Sequence, residues 1–133
     1  MRKYLLLTMG LMLVTSVFIA SACSSGEAEG VTQESSQEIA RQYVLNEPTF
    51  KFDGMEETLK LADTITLRCP YCWEFVFEFD CRQPGYGDRT GLMLAQVITP
   101  HTARIEVQKG AVASAVMDGK WDMMKQISIE GGG

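Results

Sequence analysis

The sequence predicts an α+β domain in which one N-terminal helix packs on a curved antiparallel sheet of four to five strands. Three observations support this prediction. A helical apolar pattern lies near residues 35–47, several short runs alternate between apolar and polar residues, and turns containing glycine or proline separate those runs. A helix lying across the sheet is the simplest way to cover the apolar face that the strands share.

The helix is expected to begin at Ser35, because Ser35 followed by Glu38 fits a capping box. It is expected to end before Pro48, since proline disfavours the helical conformation in the residue that precedes it. The apolar residues at helical spacing are Ile39, Ala40, Tyr43 and Val44. Their shared face is the one expected to cover the sheet.

The stretch RCPYCWEFVFEFDC at residues 68–81 has the clearest strand pattern in the chain. From residue 73 to residue 80 every second residue is aromatic, and the residues that alternate with them are acidic with one apolar exception. The aromatic residues are Trp73, Phe75, Phe77 and Phe79. A period of two places alternate side chains on opposite faces of a strand. We therefore predict a central strand with an aromatic, covered face and an acidic face.

Alternating patterns of the same kind predict the remaining strands. The segments are, in chain order, 58–68, 92–99, 103–108 and 111–118. In the first segment Asp63 falls on the apolar side and is expected to mark a bulge. Pro100 and His101 interrupt the pattern between the second segment and the third. Residues 121–129 are expected to form a short amphipathic tail that covers the core.

Residues 1–22 have the composition of a secretory signal peptide, with Arg2 and Lys3 as a basic head, then an apolar run, then small residues. The stretch IASAC that ends at Cys23 resembles the lipobox of prokaryotic lipoproteins, although alanine stands where leucine is commonest. This resemblance implies that Cys23 is lipidated and becomes the mature N-terminus. An ordinary signal peptide and a retained membrane-spanning anchor are the alternatives.

The chain therefore divides into three predicted parts. Residues 1–22 form the signal peptide, residues 23–34 form a lipidated tether of small, polar and acidic residues, and residues 35–130 form a single α+β domain. In its lipobox and in the segments CPYCWEF and GYGDRTG, the chain resembles a small prokaryotic lipoprotein. The resemblance implies a lipid anchor in the cell membrane or outer membrane, with the domain outside the cytoplasm.

The acidic composition argues against several functions. The chain has 12 Lys and Arg against 17 Asp and Glu, and removal of Arg2 and Lys3 with the signal leaves a formal charge of 10 − 17 = −7. An acidic domain without a basic cluster is a poor binder of nucleic acid. The chain has one histidine, His101, and no catalytic constellation is visible, so we expect a protein that is not an enzyme.

The CPYC turn, residues 69–72, has three interpretations. It matches letter for letter the redox motif of glutaredoxins, where the motif begins a helix, but here a strand pattern follows it. It also resembles the metal-binding knuckle of rubredoxins and zinc ribbons. The third interpretation is a disulfide between Cys69 and Cys72, which an oxidising compartment permits, with Cys81 left as a buried thiol.

A zinc ion at this turn would need further ligands, and His101 is the candidate. If residue 81 pairs with residue 92 across a hairpin, Cys72 lies opposite His101. Cys69, Cys72 and His101 would then meet at one end of the sheet. No cofactor other than this alternative zinc ion is expected.

The loop at residues 82–91 contains Tyr86, Asp88 and Arg89 between three glycines. One interpretation is a solvated hairpin tip. The other is a binding loop formed by Tyr86, Asp88 and Arg89, because tyrosine and arginine are common anchors in protein interfaces.

The order of the elements resembles the cystatin-like and PepSY-like folds of small secreted domains. Together these observations predict a membrane-anchored lipoprotein with a small partner-binding domain, whose partner is another protein of the cell envelope. The first alternative is a thiol redox or metal-binding protein that uses the CPYC turn. The second is a cystatin-like protease inhibitor, although the QxVxG turn of cystatins is absent from the sequence.

Overall fold

The structure, a computed structural model, describes residues 30–129. Two helices, α1 (Gln33–Asn46) and α2 (Pro48–Asp53), precede a 3₁₀ turn at Glu56–Thr58. One antiparallel sheet follows, with its six strands in sequence order. The strands are β1 (Lys60–Thr66), β2 (Cys72–Cys81), β3 (Thr99–Gln108), β4 (Ala111–Met117), β5 (Trp121–Asp122) and β6 (Ile127–Ser128). The predicted signal peptide and Cys23 lie outside the described residues.

The α+β class and the antiparallel sheet are confirmed, and the strand count is higher than the predicted four to five. Two differences between the predicted and the observed strands account for the six strands of the sheet. The segment predicted as an amphipathic tail forms the short β5–β6 hairpin, which extends the sheet beyond β4. The segment predicted as a strand at residues 92–99 is outside the sheet except for Thr99.

Helix α1 begins two residues earlier than predicted. Thr32 is the N-cap and forms a reciprocal capping box with Ser35, so the predicted pairing of Ser35 with Glu38 is wrong. The helix includes the last two residues of the segment predicted as a tether. It ends before Pro48 as predicted, but Pro48 also starts α2, because proline suits the first turn of a helix.

The core lies between α1 and the aromatic face of β2. Phe75, Phe77 and Phe79 are buried as predicted, and the indole of Trp73 packs at the margin of the same cluster. Helix α1 packs across β2, β3 and β4 and adds its buried residues Ala40 and Val44. Burying each large side chain contributes about 1.5–3 kcal/mol, so this aromatic row is a major source of stability.

Strand β1 is an edge strand with little burial, so the predicted core face of this strand is wrong. Leu61 and Ile65 are 38% and 37% exposed, because α1 packs over β2, β3 and β4. The predicted bulge is confirmed, since the register with β2 shifts between Leu61 and Asp63. Bulges and charges on an edge strand discourage unwanted strand pairing.

The register of β2 and β3 separates the two ends of the sheet. Cys72 pairs with Gln108 and Phe79 pairs with His101, so the predicted pairing of Cys72 with His101 is wrong. The predicted register placed residue 92 opposite Cys81. In the structure β3 starts only at Thr99, which is the residue that pairs with Cys81, and the strand runs through Pro100. Proline is tolerated there because the pairing of β3 with β4 starts only at Ala103, leaving that side of β3 without a strand neighbour.

The start of α1 lies at the end of the sheet that contains the CPYC turn. Val31 Cγ2 is 3.6 Å from the position that a Cβ on Gly110 would occupy, in the turn between β3 and β4. The amide of Lys109 in that turn donates to the carbonyl of Tyr71, 2.8 Å away. The loop between β2 and β3 lies at the opposite end. Within residues 30–129, neither helix is long and apolar enough to cross a membrane.

Candidate functional site

The most conspicuous surface feature is the apolar arm, residues 92–98 with the sequence LMLAQVI. Leu92, Val97 and Ile98 are 62%, 56% and 56% exposed, and Met93 is fully exposed. The arm contains no charged residue. A contiguous exposed apolar segment of this kind marks an interaction site more often than isolated surface hydrophobes do.

The backbone of the apolar arm is largely unpaired. The Leu92 amide donates to the carbonyl of Arg89 and the Val97 amide donates to the carbonyl of Ala95, both at 3.0 Å. Among residues 30–129, these are the two arm amides that donate to a backbone carbonyl. The other amides of the arm remain available for hydrogen bonds to solvent or to a second polypeptide.

Arg89 holds the N-terminal end of the apolar arm and is 2% exposed. Its Nη2 atom is 2.6 Å from Asp53 Oδ1 and 3.1 Å from the carbonyl oxygen of Thr49. Its Nη1 atom donates to the carbonyls of Gln83, Pro84 and Gly85. The guanidinium therefore joins the loop to α2, and the prediction of Arg89 as a solvated or partner-contacting residue is wrong.

The other two predicted binding-loop residues differ in exposure. Asp88 is exposed at the loop tip, where its carboxylate accepts hydrogen bonds from the amide and hydroxyl of Thr90. The ring of Tyr86 is half-buried and stacks on Trp121 with the centroids 5.5 Å apart. Tyr86, Asp88 and Arg89 therefore do not share one exposed surface.

A buried polar network below the loop was not predicted. Glu47 is 3% exposed and caps α2, with Oε2 accepting from the amide of Thr49 at 2.7 Å. Its Oε1 atom accepts from Gln126 Nε2 at 2.9 Å. The hydroxyl of Thr49 donates to Glu47 and accepts from the Gly87 amide at 2.8 Å. The network joins α2, the loop and the β5–β6 turn.

The C-terminal end of the apolar arm is held by the His101 cluster, which consists of Tyr86, His101, Asp118 and Trp121. Asp118 Oδ2 is 2.7 Å from His101 Nδ1 and accepts from the Tyr86 hydroxyl at 2.8 Å. Its Oδ1 atom accepts from the amide of Thr102 at 2.7 Å. His101 is 3% exposed, so the cluster fixes the start of β3 against the β4–β5 turn.

The chemistry open to His101 is limited by its burial. Its Nε2 atom is buried and has no hydrogen-bond partner in the described part of the chain. A carboxylate on Nδ1 is the arrangement that orients a catalytic imidazole, but Nε2 must then reach a substrate. Here the rings of Phe79 and Tyr86 pack against the imidazole and leave Nε2 buried. The pair of His101 and Asp118 therefore serves to position the backbone at the start of β3.

The acid–base properties of Asp118 make its contribution to stability depend on pH. Burial acts to raise the pKa of Asp118, but the hydrogen bonds from His101, the Thr102 amide and Tyr86 together lower it below its ordinary value of 3.8. A carboxylate with a lowered pKa stabilises the fold above its unfolded-state pKa and loses that effect as the pH falls through its folded-state pKa.

We therefore expect Asp118→Asn to destabilise the protein at pH 6 and to make a smaller difference at pH 2.5. Urea unfolding of both proteins at the two pH values measures this. The difference in unfolding free energy between the wild type and the variant reports on Asp118 alone, because the other carboxylates protonate in both proteins. An equal difference at both pH values would contradict a charge-dependent role.

The CPYC turn contains a disulfide between Cys69 and Cys72, whose Cα atoms are 5.5 Å apart. Cys69 is exposed and Cys72 is 2% exposed. Tyr71 between them has φ 58° and is 45% exposed. Strand β2 begins directly at Cys72, so the turn lacks the helix N-terminus that lowers the thiol pKa in glutaredoxins.

The two predicted ligand groups for zinc lie apart. Cys72 and Phe79, which is the β2 partner of His101, are seven positions apart on the strand, or about 23 Å at 3.3 Å per residue. His101 therefore lies at the opposite end of the sheet from Cys69 and Cys72. Within residues 30–129, no three His, Cys, Asp or Glu side chains are grouped so that they could hold a metal ion.

Cys81 is a buried free thiol near the end of β2. Burial and the nearby Asp53 raise the pKa of Cys81 to about 12, so the thiolate is rare at pH 8. We expect Ellman's reagent at pH 8 to miss this thiol in the native protein and to detect it after denaturation. The control is Cys81→Ser, which should lower the denatured count by one thiol. Rapid labelling of native Cys81 would contradict its burial.

One signal in the sequence could have revealed Asp118. A two-residue turn at Lys109 and Gly110, between the predicted strands 103–108 and 111–118, pairs Gln108 with Ala111, and continuing that register brings residue 118 close to residue 101. In the predicted fold Asp118 is only the last residue of the strand segment 111–118. Glu47 gave no comparable signal, because its partner Gln126 is remote in the chain.

Comparison of the chain with protein-family models, with curated proteins and with solved structures finds no match in any of the three.

Proposed function

We propose that the protein is a lipid-anchored protein of the cell envelope whose domain binds a partner protein through the apolar arm. The observation that supports this most strongly is the exposure of Leu92, Met93, Val97 and Ile98 in one uncharged segment. Interface cores are depleted in charged residues, and methionine is enriched there. The apolar arm meets both conditions.

The way in which the apolar arm is held also supports binding. Arg89 at one end and His101 at the other are buried and hydrogen-bonded, while the residues between them extend into solvent. Fixed ends reduce the conformational entropy that the arm loses when it is ordered by a partner. The arm is thus an exposed segment whose two ends are held in the folded domain.

The start of α1, which follows the proposed anchor in the chain, lies at the opposite end of the domain from the apolar arm. Val31, which leads into α1, lies beside the β3–β4 turn, and the arm precedes the first residue of β3. The ten residues of β3 span about 33 Å between these ends. A tether that holds the first end at a membrane would leave the arm free to meet a partner away from the lipid surface.

Site-specific photocrosslinking tests the binding. A benzophenone amino acid at position 93 in intact cells is expected to form a discrete protein adduct. The matched control places the same probe at Glu57, which is exposed on the 3₁₀ turn. Equal adducts at both positions, no adduct at position 93, or adducts with lipid alone would contradict the proposal.

The anchor is tested separately by Cys23→Ser. This substitution is expected to abolish metabolic labelling with a fatty acid and to release the protein from the membrane fraction. Continued membrane fractionation of the variant would favour a retained apolar helix as the anchor instead of a lipid.

A second candidate function is thiol–disulfide exchange at the CPYC turn. It is favoured by the exposure of Cys69, because an external thiolate could attack the Cys69 sulfur and release Cys72 as the leaving group. Equilibration with glutathione buffers measures the reduction potential. A potential below about −300 mV would identify a structural disulfide and exclude exchange.

A further inference from the structure

We infer that the partner of the apolar arm is a second copy of this chain, whose own arm pairs with it as an antiparallel strand centred on Ala95. The inference rests on the proposed function, since it names the partner for the same surface. It begins from a mismatch between sequence and structure. Residues 92–99 have the composition of a strand, yet residues 92–98 have no strand neighbour within the described chain.

The unpaired backbone indicates what kind of partner can cover the apolar arm. Its open amides and carbonyls would cost several kcal/mol each in the hydrocarbon of a bilayer, where no water can bond them. A partner strand satisfies these groups and covers the apolar side chains at the same time, once the internal bond from the Val97 amide to the Ala95 carbonyl opens. The arm therefore fits an extended polypeptide better than it fits lipid.

The residues of the apolar arm are complementary to themselves in an antiparallel pair. With Ala95 opposite its own copy, Met93 lies opposite Val97 and Leu92 lies opposite Ile98. No charges oppose each other anywhere in this register, and apolar cross-strand pairs stabilise a sheet. The small side chain of Ala95 at the two-fold axis allows the two backbones to approach.

The other strand edges of a second copy are less suitable partners. Edge strand β1 carries Lys60 and Asp63 and is distorted by its bulge, while β6 contains only two residues. The net negative charge also opposes self-association elsewhere on the surface. Contact through the two uncharged arms minimises the electrostatic repulsion between the negatively charged copies.

Cysteine crosslinking tests the register in the full-length protein in its membrane. Opposed residues of an antiparallel pair have Cα atoms about 4.5–5.5 Å apart, which suits a disulfide. Under mild oxidation, Ala95→Cys is expected to form a disulfide-linked dimer. Met93→Cys alone should crosslink at least tenfold less, because its copy would lie about 13 Å away. Wild-type protein controls for crosslinks through the native cysteines.

Two further samples check the pairing independently. Co-expressed Met93→Cys and Val97→Cys chains are expected to crosslink with each other, and adding Ala95→Asp to both should abolish that product by placing two carboxylates at the axis. The neutral Ala95→Ser is the matched control and should retain it. Equal crosslinking of Ala95→Cys and Met93→Cys, or no dimer, would overturn the inference. A photocrosslinked adduct with a different protein would support the proposed function. The same result would overturn the inference that the partner is a second copy of this chain.

Discussion

Replacing Arg89 by methionine is expected to destabilise the domain by about 3–5 kcal/mol, because the change leaves the Asp53 carboxylate and several carbonyls without their partner in a buried site. Total stability of a small domain is only about 5–15 kcal/mol, so the variant would lose a large part of it. Urea unfolding measured by circular dichroism gives the change directly.

The chain provides a matched control for this substitution. Arg104 also pairs with a carboxylate at 2.6 Å, that of Glu74, but its side chain is 54% exposed on the outer face of the sheet. Exposed pairs contribute about 0–1 kcal/mol, so Arg104→Met should change the unfolding free energy very little. Similar losses for the two variants would show that burial of Arg89 does not determine its contribution.

Phe79→Ala is expected to cost about 3–5 kcal/mol, since it removes a fully buried ring from the loop end of the aromatic face. The ring packs edge-on against Phe50 of α2 at a centroid distance of 5.0 Å and lies 5.6 Å from the His101 ring. The loss would therefore loosen both α2 and the C-terminal end of the apolar arm.

Thermal and urea unfolding of Phe79→Ala should be compared with Ile65→Ala on the exposed edge strand, for which less than about 1 kcal/mol is expected. Hydrogen exchange in α2 gives a second measurement. If α2 amides exchange as slowly in Phe79→Ala as in the wild type, the ring does not couple α2 to the sheet. A double-mutant cycle with Phe50→Ala should find about 0.5–1.5 kcal/mol of interaction.

Local patterns in the sequence predicted the parts of the fold that local chemistry determines. The alternation in β2 identified the buried aromatic face, and the misplaced Asp63 identified the bulge in β1. Alternation alone did not show that β1 is an edge strand, because burial depends on where α1 lies. Residues 92–98 have a strand-like composition, but a strand also requires a neighbour, which no local pattern can supply.

The candidate site was harder to predict, because its residues act through contacts between distant parts of the chain. Arg89 in a glycine-rich loop has the composition of a solvated tip, and only the approach of Asp53 and Thr49 makes it a buried residue. His101 was assigned to the wrong end of the sheet by a hairpin register that assumed a strand at residues 92–99. One misassigned strand thus displaced the predicted zinc site.

The bond between Glu47 and Gln126 spans 79 positions, and under the proposed envelope location it has a consequence for the order of folding during export. In a chain that crosses a membrane with its N-terminus leading, the helices emerge long before the segment that completes the Glu47 site. Until Gln126 arrives, Glu47 keeps its local bonds to α2 but lacks this donor, and the C-terminal hairpin cannot close over the site. Such a chain would stay loosely folded throughout translocation and acquire its final structure only after the C-terminal hairpin has left the channel.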